Sequence, residues 1–163
     1  MSTRTSLPSA PGVYALVLHL PEDANIVIGK LGEFNFPPGF YLYIGSAFGP
    51  GGLASRLKRH GRSTDDPEWK DHWHIDYLRH YTNTREIWLV QNSARSECDW
   101  ASMIGMHEEA FIPASKFGAT DCTCRSHLFH FEFPPDPRML LPLLTDLSPG
   151  DALEVYSPPY IDS

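Results

Sequence analysis

Pro11-Gly12-Val13-Tyr14-Ala15-Leu16-Val17-Leu18 and, further on, Phe40-Tyr41-Leu42-Tyr43-Ile44-Gly45 are the stretches whose reading decides the fold. Both are short, rich in β-branched and aromatic residues, and preceded by proline-glycine turns, which favours buried strands over helices. Pro21 closes the first. Between them, Ile26-Val27-Ile28-Gly29 and Glu33-Phe34-Asn35-Phe36 flank Lys30-Leu31-Gly32 and read as two further strands. The first 46 residues therefore predict an antiparallel meander. Gly49-Pro50-Gly51-Gly52 then forms a flexible loop into a helix over Leu53 to His60. On it Leu53 and Leu57 share one face and Arg56 and His60 the other, by i,i+4 spacing.

Beyond that helix, His72-Trp73-His74-Ile75-Asp76-Tyr77-Leu78 fits either a strand or a short helix, and Arg85 to Val90 predicts a strand. Ser96 is an N-cap candidate with Asp99 three residues on, opening a helix that turns Ala101, Met103 and Ile104 inward. Ser126 to Phe133 alternates with period two and predicts a strand with its leucine and aromatics as the apolar set. Seven of the fifteen prolines lie between Pro134 and Pro159. Residues 1–133 thus read as the main domain. Residues 134–163 read as an acidic, proline-rich extension, packed on the body through Met139-Leu140-Leu141 and Leu143-Leu144 and frayed at its end.

A chain of 163 residues with 42% hydrophobic and 20% charged residues has the proportions of one folded domain rather than a disordered protein. No apolar run approaches the ~18 to 20 residues that cross a bilayer, and the polar start Met-Ser-Thr-Arg-Thr-Ser lacks a signal-peptide core, so the expectation is a soluble, cytoplasmic protein without membrane contact. Three cysteines, Cys98, Cys122 and Cys124, suggest thiols or a metal site rather than a disulfide framework. The net charge of −7 argues against bulk electrostatic coating of nucleic acid, but six acidic residues from Glu132 onward face Arg138 alone, so most of the excess lies in the extension. Arg56, Lys58, Arg59 and Arg62, with His60 among them, form the one concentrated cationic patch.

The ordered string G-V-Y at Gly12, Y-I-G-S-A at Tyr43, G-P-G-G-L, R-L-K-R-H at Arg56, H-W-H-I-D-Y-L, a glutamate at a helix start and F-G-A-T-D-C-T-C-R-S-H-L-F resembles the GIY-YIG endonuclease superfamily, in its Uri-type branch. The resemblance covers about residues 11 to 133. It implies an α+β fold with a small central antiparallel sheet, three core strands plus here an inserted hairpin, flanked by helices. It also implies hydrolysis of phosphodiester bonds in nucleic acid, DNA more than RNA, with Mg²⁺ or Mn²⁺ as cofactor. The positions matching the catalytic pattern are Tyr14, Tyr43, Arg56 and Glu97; His60, one turn from Arg56, is a further candidate for assistance by hydrogen bonding or proton transfer. Gly45, Ser46, Lys58, Arg59 and Arg62 fall on the substrate side.

Phosphodiester hydrolysis requires a deprotonated water, neutralisation of charge on the phosphorane oxygens and help for the leaving alkoxide. A phenol with pKa near ~10 is a poor base unless a cation lowers it, and Arg56 is the cation placed to do so. Arg56 also suits bidentate capture of a phosphate, and Glu97 suits a Mg²⁺ ion that keeps several waters. Glu108 and Glu109 are alternative carboxylates. The competing structural readings are core packing for the tyrosines, a solvated helix face for the basic run, a helix-dipole role for Glu97 and backbone geometry for Gly12, Gly45 and Gly52.

A second cluster, Asp121-Cys122-Thr123-Cys124-Arg125-Ser126-His127, offers Cys122, Cys124 and His127 as zinc ligands, with His72, His74 or Cys98 as the fourth. The alternatives are a capped turn with small buried cysteines, or His74, Asp76 and His127 lining the nuclease cleft. The functional expectation is a metal-dependent endonuclease acting as a monomer, a dimer remaining open. Its rival is a non-catalytic nucleic-acid-binding or adaptor module with the same fold, motivated by the net charge.

Overall fold

The computed structural model describes residues 7–91, 97–140, 142 and 153–157. Its order is β1 (Gly12–Leu20), β2 (Ala24–Ile28), β3 (Gly32–Phe36), β4 (Gly39–Ala47), α1 (Gly52–His60), α2 (His74–Arg79), β5 (Asn83–Gln91), α3 (Glu97–Gly105), β6 (Leu128–Phe131) and β7 (Leu153–Tyr156). A five-stranded antiparallel sheet has the order β6-β4-β1-β5-β7, and β2-β3 form a separate two-stranded sheet. The architecture is α+β, as expected, with β4-β1-β5 at the centre.

The meander read from local signals is corrected in its pairing, while the inserted hairpin that the resemblance implied is present. β1 pairs with β4, from Gly12 opposite Ala47 to Leu20 opposite Gly39, and β2 with β3 alone, so the hairpin stands off the main sheet rather than extending it. Its inner residues Ile26, Ile28 and Phe36 are buried against the sheet's first face. The ambiguous segment at His72 is resolved as the short helix α2, because Asp76 caps its start: Asp76 Oδ2 accepts the backbone N–H of His72 at 2.8 Å and of Trp73 at 2.9 Å.

Strand alternation sends the two sides of β1 into two cores. Tyr14, Leu16, Leu18 and Leu20 join Tyr41, Tyr43 and Leu128 under α1, α2 and the hairpin; Val13, Ala15 and Val17 join Ile44, Trp88, Phe129 and Phe131 under α3. Leu128 and the two phenylalanines of β6 therefore point to opposite faces rather than forming one apolar set. In the extension, Leu140 is buried beside α3, and β7 becomes the edge strand on β5, a strand the sequence reading did not anticipate. Ser96, expected to cap α3, and Leu141, Leu143, Leu144 and the frayed end lie outside the described residues.

Candidate active site and metal centre

Register places the two tyrosines. Tyr14 lies opposite Gly45 and Leu16 opposite Tyr43, so both phenols rise from the same face of adjacent strands. Gly45 is required by close approach: a Cβ there would collide with the Tyr14 hydroxyl and ring. Ser46, one residue on, points through to the other face and joins the two layers. Its carbonyl accepts Arg56 Nη1 of α1 at 3.0 Å, while its hydroxyl donates to Glu97 Oε1 of α3 at 3.1 Å. The Arg56 guanidinium also lies over the Trp73 ring, 4.5 Å from its centroid, which limits its swing. Gly52 sits at φ +57° under the Ser9 and Ala10 carbonyls, where a side chain would clash, so α1 packs directly on the chain entering β1.

His60 departs from the expectation of an exposed cation beside Arg56. It is 1% exposed. Seven residues at 3.6 per turn bring it back to within about 20° of Leu53, so it belongs to the buried stripe. It shares a 2.7 Å hydrogen bond with the Tyr14 hydroxyl through Nε2, and its ring centroid lies 6.1 Å from that of Tyr43. Burial, reinforced by Arg79, Arg56 and Arg59, lowers its pKa well below the usual value, so it is neutral at pH 7.

The same desolvation decides the phenols. Tyr14 and Tyr43 are both buried, and burial raises both pKa values well above 10, outweighing the opposing pull of Arg56 on each. The expectation that Arg56 makes a phenol basic at neutral pH is therefore corrected: the tyrosines keep their protons. Glu97 behaves differently. It is one-third exposed, and its pKa is raised by burial and by Asp121 while Ser46 and Arg56 lower it. Asp121, named in the sequence only as the first residue of the cysteine cluster, is thus a second carboxylate in the electrostatic range of Glu97. Glu108 and Glu109 lie beyond the end of α3, exposed to solvent.

Of the basic run, Arg59 is committed elsewhere. It pairs with the buried Asp76 at 2.6 Å and stacks between Trp69 and Trp73, so Arg59 and Asp76 tie α1 to α2 rather than line the substrate side. Arg62 pairs loosely with Asp66 at 3.2 Å on the surface, and Lys58 is exposed.

Cys98, Cys122, Cys124 and His127 form a cluster in which one ligand atom from each lies within 4.8 Å of the others, an arrangement able to hold a metal ion. Cys98, on the first turn of α3, is the fourth member. His72 and His74, the other candidates, do not belong to the cluster, and His74 Nδ1 instead accepts the Gly118 N–H at 2.8 Å. Lys116, at φ +68°, braces the cysteine loop by donating from Nζ to the carbonyls of Cys122 at 2.8 Å and Cys124 at 3.1 Å. Burial raises the thiols of Cys98 and Cys124, and contact with Cys122 raises both further, while Cys98 pulls Cys124 the other way. His127 Nε2 faces the sulfurs, and its buried Nδ1 lies 3.6 Å from Glu97 Oε2, so the cluster adjoins the Ser46–Glu97 pair. Lys116 and Asp121 had no signal in the sequence beyond proximity to the cysteines.

Among the described residues no helix is long and apolar enough to cross a membrane. No curated protein and no solved structure gives a match to the chain. Residues 13–145 match a family model described as a domain of unknown function, DUF123, and this span takes in both tyrosines, α1, Glu97 and the whole cysteine–histidine cluster; the chain belongs to that family.

Proposed function

We propose that this chain is a metal-dependent endonuclease of the GIY-YIG type, hydrolysing phosphodiester bonds in DNA in preference to RNA and acting as a monomer. The observation that carries the reading is the Ser46 bridge, which brings Arg56 and Glu97 to one end of the β1–β4 ladder beside Tyr14. Glu97 is a partly exposed hard oxygen ligand, which fits Mg²⁺ or Mn²⁺ with a mostly aqueous shell. Such an ion supplies Lewis-acid neutralisation of the phosphate and a more acidic water.

The chain's own residues then have distinct tasks. Arg56, anchored by one nitrogen to Ser46 O, directs its remaining donors toward a phosphate and stabilises charge growing on the phosphorane. Tyr14 and Tyr43 remain protonated and buried, so their task is positioning: Tyr14 contacts Arg56, and Tyr43, the less buried of the two at 9% exposed, is the phenol nearer the attacking water. His60, neutral, holds the Tyr14 hydroxyl in place. Lys58 and Arg62 supply outer phosphate contacts. The cysteine–histidine cluster, with soft ligands, suits zinc as a second metal, and free thiols suit a reducing, cytoplasmic setting.

A second reading, a nucleic-acid-binding adaptor without turnover, is favoured by the protonated phenols and the net charge of −7. Incubating the protein with plasmid, structured oligonucleotide and RNA substrates, with and without Mg²⁺ or Mn²⁺, separates the two. The nuclease reading expects metal-dependent products that disappear with Glu97→Gln and Arg56→Ala. Saturable binding without products under any metal supports the adaptor, and cleavage unchanged by both substitutions overturns the assigned roles.

A further inference from the structure

We propose that Cys98, Cys122, Cys124 and His127 form a four-coordinate zinc centre whose histidine is tied to Glu97, so that filling this centre fixes the carboxylate of the neighbouring hydrolytic site. The second half rests on the nuclease reading; the first does not.

The first argument is metric. With Zn–S of about 2.3 Å and Zn–N of about 2.0 Å, the S···N edge of a tetrahedron is about 3.5 Å. His127 Nε2 lies 3.7 Å from Cys98 Sγ and 3.6 Å from Cys122 Sγ, so these side chains stand close to the spacing that a tetrahedral ion imposes. Two backbone anchors hold the imidazole there: His127 N–H donates to Phe117 O at 2.8 Å, and its carbonyl accepts Ile44 N–H at 2.9 Å. Three thiolates and Zn²⁺ leave one negative charge, and the Lys116 ammonium, bonded to the carbonyls of two of the three cysteines, lies beside it.

The second argument concerns the other ring nitrogen. Histidines that bind a metal through one nitrogen commonly donate the other N–H to a carboxylate, which fixes tautomer and orientation. His127 Nδ1 is buried, makes no well-formed hydrogen bond, and has two acceptors near it, the Gly118 backbone and the Glu97 carboxylate, whose Oε2 lies at 3.6 Å. Binding zinc through Nε2 places the proton on Nδ1 and gives that carboxylate a donor. Glu97 and Cys98 are also consecutive on the first turn of α3, so a metal that pins one sulfur restrains the adjacent carboxylate through the backbone as well.

The test uses the full chain. Metal-free protein is titrated with Co²⁺, whose tetrahedral ligand-field bands and thiolate charge-transfer band report the ligand set, followed by displacement with Zn²⁺. One equivalent with thiolate bands, lost in Cys98→Ser and Cys122→Ser, is the expected result. Glu97→Ala should keep the spectrum but weaken the affinity about 10–100-fold, with Glu97→Gln recovering part of the loss. Mn²⁺ binding, followed by electron paramagnetic resonance, should be weaker in zinc-free than in zinc-loaded wild type.

Absence of stoichiometric tetrahedral cobalt overturns the centre. Unchanged cobalt affinity in Glu97→Ala overturns the tie, and Mn²⁺ binding indifferent to zinc overturns the positioning of Glu97. The Glu97 variants and the wild-type reconstitution decide the matter even where a cysteine variant does not fold. Failure to cut any nucleic acid removes the nuclease reading while leaving the cobalt spectrum and the Glu97 effect standing.

Discussion

Lowering the pH should destabilise this protein through His60, and a glutamine at that position should remove part of the effect. His60 is buried against Tyr14, Tyr43 and Trp73 and has Arg56, Arg59 and Arg79 around it, so the folded state resists the proton that the unfolded chain accepts near pH 6.5. A folded-state pKa below the unfolded one means that the stabilisation is fully present above about pH 6.5 and is lost as the pH falls toward the folded value. For one excluded proton the loss is about 1.4 kcal/mol per pH unit over that window. With a urea m-value of about 2 kcal/mol/M, the midpoint should move by about 0.7 M per pH unit. The assay is urea denaturation followed by tryptophan fluorescence between pH 8 and pH 5, on wild type and His60→Gln. Glutamine retains a polar partner for the Tyr14 hydroxyl but does not titrate in this range. Since burial lowers the pKa values of His74 and His127 as well, the informative quantity is the difference in slope, expected to be one proton's worth. Parallel curves for the two proteins would refute the argument that a buried, neutral imidazole sits in this core.

Gly45→Ala should cost about 1–3 kcal/mol or more, because the new methyl collides with the Tyr14 ring on the neighbouring strand; thermal unfolding by calorimetry measures it. Asp76→Ala removes the partner of Arg59 and the cap of α2 together and should destabilise by about 3–5 kcal/mol in urea titrations, with Asp76→Asn milder. If DNA is bound, Arg56, Lys58 and Arg62 set an upper bound of about three phosphate contacts from the α1 run, so the plot of log affinity against log salt should have a slope no steeper than about −2.7. Fluorescence anisotropy should show Lys58→Ala reducing that slope by about 0.9, whereas Arg59→Ala should lower stability and leave the slope unchanged.

The local features were legible because they depend on local chemistry. The runs at Val13 and Phe40 are strands for their β-branched and aromatic content, Leu53 and Leu57 are buried by helical spacing, and Glu97 opens α3. Long-range pairing was legible only through the family resemblance, which made the Ile26–Phe36 hairpin an insertion; local propensity and turn signals alone read residues 12–47 as a meander, because which strands pair depends on the core closing under both. His60 was misplaced by taking its spacing from Arg56 rather than from Leu53, although the same periodicity contained the right answer. The phenols were given too low a pKa for a different reason: the charge of Arg56 is visible in the sequence, while the desolvation that outweighs it is a property of the packed sheet. Cys98 was one of three fourth-ligand candidates, and only the fold selects it, by bringing the start of α3 beside the loop before β6. β7 escaped notice because a four-residue strand in proline-rich surroundings carries almost no period.

That last strand has a practical consequence for anyone shortening the chain. β7 covers the outer ladder of β5, and Gln91 Nε2 donates to Glu154 Oε2 across the join at 2.6 Å. Truncation before Leu153 uncovers the amides and carbonyls along β5, a strand containing Ile87, Trp88, Leu89 and Val90. An apolar strand so bared is a template for intermolecular addition, so the shortened protein should gain a tendency to assemble edge to edge with its own copies.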